Sequence, residues 1–391
     1  MRLGIFSDNF YPEISGVADS ILLLGRELAA RGHEIFFYVP RYSRRDYQIV
    51  NLKPSEATRE TNIKIRRFFS WPFVGGTQQG RLFIPGPKTW QQVARDNLDL
   101  LYVQDPFGTG WLALKAARKL KIPLLGTNHT AVTEFIKINI PGTKLIKKLA
   151  LKYYAWYYNH CALVTGPSQW VYDSLRPAGF ARPYQVISNP LDFKIFSPVS
   201  AERQLDLKKE LGFSDQTITF AGRLASEKKI NIILQAVALV KEKIPNINFA
   251  LVGNGQDLKL LTQLATTLEI KESVKFLGRL DQAKLAQIFQ ASEIFVTAST
   301  SETQGMTVLQ AMACGRPAIG VRSGALPEYI NNYNGLIVEP DKPEALAAAI
   351  EGLLNDAARQ KSLGVRAFQD VQSFSREKIT DRWENIFQEL I

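Results

Sequence analysis

Short runs of consecutive apolar residues alternate along this chain with longer stretches whose apolar positions recur every three or four residues. Residues 2–6 (RLGIF) predict a strand, 18–32 (ADSILLLGRELAARG) an amphipathic helix ending at Gly32, and 34–40 (EIFFYVP) the next strand. The same alternation returns in LDLLYV, GWLALKAARKL and KIPLLGTNH, and again in CALVTGPS, QWVYDSLRPAGF and YQVIS. It resumes after residue 216 with TITFAGR, NIILQAVALVKEKIP, INFALVGNG, QDLKLLTQLATTLEI, VKFLGRL and EIFVTAS. The helix opened by QGMTVLQAMA, the strands RPAIGV and GLIVEP, and the helix PEALAAAIEGLLNDA complete this second series.

Strands that are apolar throughout, each followed by a helix, predict parallel sheets covered on both faces. The alternation occurs twice, so the expected fold class is α/β, with two doubly wound Rossmann-like domains. The proline-punctuated stretch SNPLDFKIFSPVS, residues 188–200, marks the boundary. This gives domains 1–190 and 191–371. A C-terminal amphipathic helix, about 372–391 with Trp383 and Phe387 four apart, is expected to cross back onto the first domain.

Open α/β sheets bind ligands beyond the carboxyl ends of their strands, so chemistry is sought there. Gly222-Arg223-Leu-Ala-Ser-Glu227-Lys228 follows a strand and places two cations five residues apart, enough to converge on one phosphate. Alone, the motif reads equally well as a solvated charged turn. Gly253-Asn-Gly255 also follows a strand, but Leu258 stands where a dinucleotide fingerprint has its third glycine. A tight turn with close backbone approach is the better reading. Gln304-Gly305-Met306-Thr307 opens a helix whose unpaired N–H groups favour an anion. Glu302, just outside that helix, can accept hydrogen bonds from sugar hydroxyls or simply complement the helix dipole. Gln310 lies eight residues beyond it. Of three histidines, His129 in GTNHT ends a predicted strand and is the best candidate to touch a reacting sugar; His33 and His160 suit structural roles. Gly16, between the first strand and its helix, leaves room for a ligand or serves a turn.

Composition narrows the class. The chain has 391 residues, 46% hydrophobic and 22% charged, which suits two packed cores rather than disorder. Cys161 and Cys314 stand far apart among apolar neighbours and read as core residues, so a reducing compartment is expected. The first residues lack the pattern of a signal peptide, and no stretch approaches the ~18 apolar residues of a membrane span. No metal-ligand spacing occurs.

The positive charge is uneven. Residues 1–190 carry 25 Lys and Arg against 13 Asp and Glu, a balance of +12. Residues 191–391 carry the remaining 23 against 24, a balance of −1. Either the first half meets an anionic partner, a membrane surface, a nucleic acid or an acidic polymer, or its charge is a merely soluble basic surface. No recognisable nucleic-acid motif accompanies the charge.

Taken in order, FYPEISGV, NHT, SNPLDFKIFSP, AGRLASEKK, LVGNGQ, FLGRL and SETQGMTVLQAMACGRP resemble the retaining glycosyltransferases of family 4. The resemblance spans nearly the whole chain. It implies a GT-B fold of two facing Rossmann-like domains and transfer of a hexose from a nucleoside diphosphate sugar, UDP-hexose or GDP-mannose, with retained anomeric configuration. It implies no cofactor and no metal. It puts Arg223 and Lys228 on the diphosphate, Gly305, Met306 and Thr307 on phosphate and sugar, Gly16 beside them, His129 near sugar C6, and the base at FLGRL. Gly222, Gly253 and Gln304 belong to the same substrate-binding loops. Glu302 matches the first of the family's two glutamates. Gln310 replaces the second, which binds the ribose, and Pro190 stands where the family often has glycine. No acid in these motifs is an obvious covalent nucleophile, so the resemblance implies front-face substitution, with the departing phosphate taking the acceptor proton.

Residues 134–160, EFIKINIPGTKLIKKLALKYYAWYYNH, bear on the acceptor. Lys144, Lys148 and Lys152 share one helical face with Lys147 beside it, and Leu145, Leu149, Tyr153 and Trp156 form an adjoining apolar stripe. That stripe serves either the core or an anionic membrane. The local charge favours the membrane, and the stretch resembles bacterial members that glucosylate diacylglycerol. The expected location is cytoplasmic, peripheral on the inner face of the cell membrane. A soluble or polysaccharide acceptor, or a sugar-nucleotide-binding protein without catalysis, are the alternatives.

Overall fold

The computed structural model describes residues 1–13, 16–49, 61–72, 80–130, 132 and 144–391. Residues 134–143 of the lysine-rich stretch lie outside them. The chain divides into two compact units, Met1–Pro190 with Arg376–Ile391, and Leu191–Ser375.

In the first unit the strands are β1 (Arg2–Phe6), β2 (Glu34–Pro40), β3 (Ile63–Phe68), β4 (Trp71–Pro72), β5 (Arg81–Leu82), β6 (Leu100–Val103), β7 (Leu124–Thr127), β8 (Leu163–Gly166) and β9 (Tyr184–Val186). β4 and β5 form a short antiparallel pair. The others make one sheet in the order β3-β2-β1-β6-β7-β8-β9. Every pairing in it is parallel. The order reverses direction between β1 and β6. The helices that follow them, Gly16–Ala30 and Gly108–Leu120, therefore cover opposite faces and leave a crevice at the strand ends. Gly25 lets the first helix approach β2: a Cβ there would lie 2.6 Å from the Phe37 ring.

β3 is absent from the apolar pattern of the sequence because IKIRRF alternates with charge, as an edge strand does. Its Arg66 pairs with Asp96 at 2.6 Å, and Asp96 also accepts from the Tyr38 hydroxyl at 2.7 Å.

The helix Arg376–Leu390 packs in the first unit. Trp383 and Phe387 are buried against Tyr102, with ring centroids 5.0 and 5.6 Å away. Arg31 bridges Asp381 and Glu384, and His33 donates from Nε2 to Glu384 at 2.6 Å. The two aromatic side chains, at about 1.5–3 kcal/mol each, outweigh the partly exposed ion pairs at about 0–1 kcal/mol each.

The second unit contains β10 (Thr217–Ala221), β11 (Asn248–Val252), β12 (Val274–Gly278), β13 (Ile294–Val296), β14 (Ala318–Val321) and β15 (Gly335–Val338), in the order β12-β11-β10-β13-β14-β15. All pairs are parallel. The helices Ala201–Leu211 and Ala357–Val371 escape the sequence pattern because each buries only a narrow face. In the first, Leu207 and Lys208 alone are buried, with Lys208 Nζ 2.7 Å from Glu293. Cys161 and Cys314 are buried free thiols, each pushed up to about 12 by burial.

Candidate active site

In the second sheet the order reverses between β10 and β13. The loop after β10 carries Arg223 and Lys228; the loop after β13 carries Glu302 and Gly305. Two motifs 74 residues apart thus meet at one crevice: Lys228 Nζ lies 2.6 Å from Glu302 Oε1, both half-buried. Burial pushes the Glu302 carboxyl up, but Lys228, and beyond it Arg223, hold it below the usual carboxylate range. Glu302 thus stands before the helix Met306–Ala313 in a half-buried ion pair. Arg223 pairs instead with Glu227 at 3.0 Å and keeps over half of its side chain exposed.

The loops interlock through their glycines. Gly253, at φ 136°, packs so closely that a Cβ would lie 1.8 Å from the Gly222 carbonyl oxygen. At Gly255 a Cβ would stand 2.2 Å from the Leu224 oxygen. The Leu224 N–H donates to Asn254 O, and Asp257 N–H donates to Leu224 O. These glycines therefore join the loops of adjacent strands, the close backbone approach expected of them. The β12 end joins in, its Gly278 carbonyl accepting from Gly253 N–H at 2.7 Å.

Gly305, left-handed at φ 76°, precedes the helix Met306–Ala313. Val308 N–H makes the first bond back to Gly305 O, so the N–H groups of Met306 and Thr307 precede the intrahelical ladder. Gln304 is buried, and Gln310 is half-buried on the next turn. The Glu302 loop is braced from below. Its carbonyl accepts from Ala325 N–H at 2.9 Å, and a Cβ on Gly324 would meet it at 2.8 Å.

In the first unit His129 follows β7 and is half-buried. Burial lowers it to about 4, so the ring is neutral near pH 7. Its Nε2 lies 2.7 Å from Gln104 Oε1. An amide oxygen only accepts, so Nε2 carries the proton and Nδ1 is left as an acceptor. Gln104, buried at the end of β6, was missed in the sequence because a glutamine at a strand end carries no signal of its own. Gly16 opens its helix with nothing within 4 Å of a Cβ position, so space is open there.

At the same strand ends, Asp8 after β1 accepts from Thr109 N–H at 2.8 Å, and Asp8 N–H donates to Asp105 at 3.2 Å. Burial, then mutual repulsion, raises Asp8; burial, then Glu13, raises Asp105. Neither Asp8 nor its partner stood out in the sequence. Among the described residues no three His, Cys, Asp or Glu side chains form a metal-ligand set.

The lysine-bearing helix spans Lys144–Tyr158. Its core face is Tyr154, Ala155, Tyr157 and Tyr158. Leu145 (64%), Leu149 (58%) and Trp156 (42%) are exposed, so the stripe does not serve the core. Lys144, Lys148 and Lys152 are exposed beside it, whereas Lys147 is half-buried. Tyr153 is half-buried and donates to the Pro106 carbonyl. No helix among the described residues is long and apolar enough to cross a membrane.

The chain matches the family model described as Glycosyltransferase Family 4 over residues 14–194 and that described as Glycosyl transferases group 1 over 204–370. The alpha-monoglucosyldiacylglycerol synthase of Streptococcus pneumoniae is 30% identical over 85% of this chain and 73% of its own length. That of Acholeplasma laidlawii is 25% identical over 100% and 98%. A GDP-mannose-dependent alpha-mannosyltransferase of Corynebacterium glutamicum is 28% identical over 97% and 86%. In fold, the chain is similar to Anabaena HepE solved with UDP, with a TM-score of 0.79 at 19% identity and complete coverage of both chains. Two parallel doubly wound sheets and a matching ordered set of strand-end motifs place this chain among the GT-B glycosyltransferases, as a member of the family 4 and group 1 type.

Proposed function

We propose that this enzyme transfers a hexose from a nucleoside diphosphate sugar to a lipid hydroxyl, with retention of anomeric configuration and diacylglycerol as the leading acceptor. The observation that carries the donor half is the Lys228–Glu302 pair at the switch point, with Arg223 beside it. A diphosphate drawn to that crevice competes for the Lys228 ammonium and frees Glu302 to accept from sugar hydroxyls. As the sugar departs, Lys228 and Arg223 stabilise the charge growing on the phosphate, whose oxygen takes the acceptor proton on the same face. Protein cations and the N–H groups of Met306 and Thr307 then do the work of a metal ion. His129 offers its neutral Nδ1 to a substrate hydroxyl. Gln310, in the position of a ribose-binding glutamate, keeps one acceptor oxygen and adds a donor. Anabaena HepE, similar in fold, is solved with UDP and with UDP-glucose, and a relative from Corynebacterium glutamicum is GDP-mannose-dependent, which supports a nucleoside diphosphate sugar as the donor.

The acceptor half rests on the exposed stripe of Leu145, Leu149 and Trp156 flanked by Lys144, Lys148 and Lys152. An apolar stripe with a cationic border suits an anionic bilayer, and this supports a peripheral location on the inner membrane face. The names of two relatives agree with this acceptor. The test is transfer from radiolabelled UDP-glucose, UDP-galactose and GDP-mannose into a mixed lipid extract, with EDTA present, and the anomeric coupling of the product read by NMR. An α-linked glucolipid is expected. Label only in water-soluble product rejects the lipid acceptor, label in nothing rejects catalysis, and activity restored only by Mg²⁺ rejects the metal-free reading.

A further inference from the structure

A second apolar feature of the first unit lies on different elements from the lysine helix. A groove of about 710 Å³ runs between the segment after β5 and the helix Gly108–Leu120. That volume is typical of sites that enclose a small ligand. Its floor is the buried pair Phe83 and Leu114; its walls are the exposed Leu82, Ile84 and Trp111. The helix lines it from Gly108 to Lys119, about 16 Å at 1.5 Å per residue. Its far end is cationic. Arg118 and Lys119 are exposed there, and Lys115 reaches across to the Pro87 carbonyl at 2.7 Å. No Asp or Glu is among the described residues that line it.

An elongated greasy trough with a positive end matches an amphiphile with one apolar chain and an anionic head. A cation in the last turn also complements the helix dipole, but that role needs no trough beside it. Acidic peptides or nucleic acid would satisfy the cations and leave the floor uncovered. Diacylglycerol, the proposed acceptor, would fill the floor and leave the cations without a partner.

We infer that this groove binds one acyl chain of an anionic phospholipid, whose phosphate rests on Arg118 and Lys119. The lipid is a docking ligand and not the acceptor. Trp111 joins the two surfaces, its ring 5.4 Å from that of Trp156 in the exposed stripe. The inference rests on the membrane-facing reading above and adds to it a site for an individual lipid.

The experiment uses the full chain and short-chain phosphatidylglycerol brominated on its acyl chains, below its micelle concentration, with tryptophan fluorescence as the readout. Saturable quenching is expected, most of it lost in Trp111→Phe. Arg118→Glu with Lys119→Glu should weaken the apparent affinity about tenfold or more, at ~1 kcal/mol per cation near an anionic lipid. Leu82→Gln with Ile84→Gln changes exposed positions only and should also weaken it. Equal quenching by brominated phosphatidylcholine overturns the inference, as does protection of the wild type by glycerol phosphate at the same concentration as the lipid. Unchanged affinity in the Arg118/Lys119 variant overturns it too. Glucosylation of diacylglycerol in neutral detergent micelles separates the two readings. Groove binding without transfer refutes the lipid acceptor and supports the groove; transfer without groove binding refutes the groove alone.

Discussion

The 2.6 Å contact between Lys228 and Glu302 holds two opposite charges that a donor would have to separate. Each is half-buried, so each stabilises the other. On the proposed mechanism Lys228→Ala removes the cation that stabilises the leaving phosphate, and turnover should fall about 10²–10³-fold, as for loss of one electrostatic contact to the transition state. Steady-state kinetics check this; a change confined to the Michaelis constant would limit Lys228 to ground-state binding. Gln104 acts one step back, by fixing the proton of His129 on Nε2. Burial keeps that ring neutral down to about pH 4. Gln104→Glu puts a carboxylate against Nε2–H, favours the imidazolium and should raise the acid limb of the pH–activity profile by one unit or more. Protonation removes the Nδ1 acceptor, so activity should be lost as pH falls through the new value. Gln104→Ala should lower activity without that shift, and an unmoved profile in the Glu variant would leave Gln104 a packing residue.

At the scale of elements, the crevice between β10 and β13 is flanked by loops whose close approach only glycine permits. Gly253→Ala must place a methyl group 1.8 Å from the Gly222 oxygen, at a backbone angle that L-residues avoid. The expected cost is roughly 3 kcal/mol or more, seen as earlier urea unfolding of the second unit together with loss of nucleotide binding. Gly16→Ala, with nothing within 4 Å, should change stability by less than about 0.5 kcal/mol. The helix Lys144–Tyr158 follows a different logic. Its tyrosines hold it to the core, leaving Leu145, Leu149, Lys144, Lys148 and Lys152 exposed. Changing Lys144, Lys147, Lys148 and Lys152 to Glu should abolish sedimentation with anionic vesicles and leave nucleotide binding intact, with Lys147 contributing least because it is half-buried. Binding that survives, or that is equal on neutral vesicles, would reject an electrostatic dock.

For the whole molecule, charge and protons set the conditions of work. The first 190 residues carry the entire excess of positive charge, so vesicle binding by the wild type should weaken as salt rises. Stability should also depend on pH through Asp8 and Asp105. Both carboxyls are raised, Asp8 to about 7, by burial first and by like charge next. The native state then holds protons that the unfolded chain releases near pH 4. Their contribution is full below about pH 4 and is lost as pH rises through about 7. Asp8→Asn keeps the acceptor oxygen for Thr109 N–H and removes the charge. Its melting temperature should exceed that of the wild type at pH 8 and change less between pH 5 and 8. An unchanged pH dependence would assign the raised values to neither carboxyl.

The alternation of apolar runs with amphipathic stretches was enough to determine two parallel sheets, because a strand buried on both faces must be apolar throughout and its covering helix must be two-sided. The strand-end motifs were located by the same logic, since open α/β sheets bind ligands beyond the carboxyl ends of their strands. β3 and the helix Ala201–Leu211 were not legible, because edge strands and shallow helices bury too little to leave a period. Nor was it legible that Lys228 would meet Glu302 rather than stand free beside Arg223, that Gln104 would fix the proton of His129, or that Asp8 would find Asp105. Those pairings join residues 25 to 97 positions apart. Sequence spacing governs neighbours along one strand or helix; which strand ends lie side by side is set by sheet order, and that is decided only when the whole core packs.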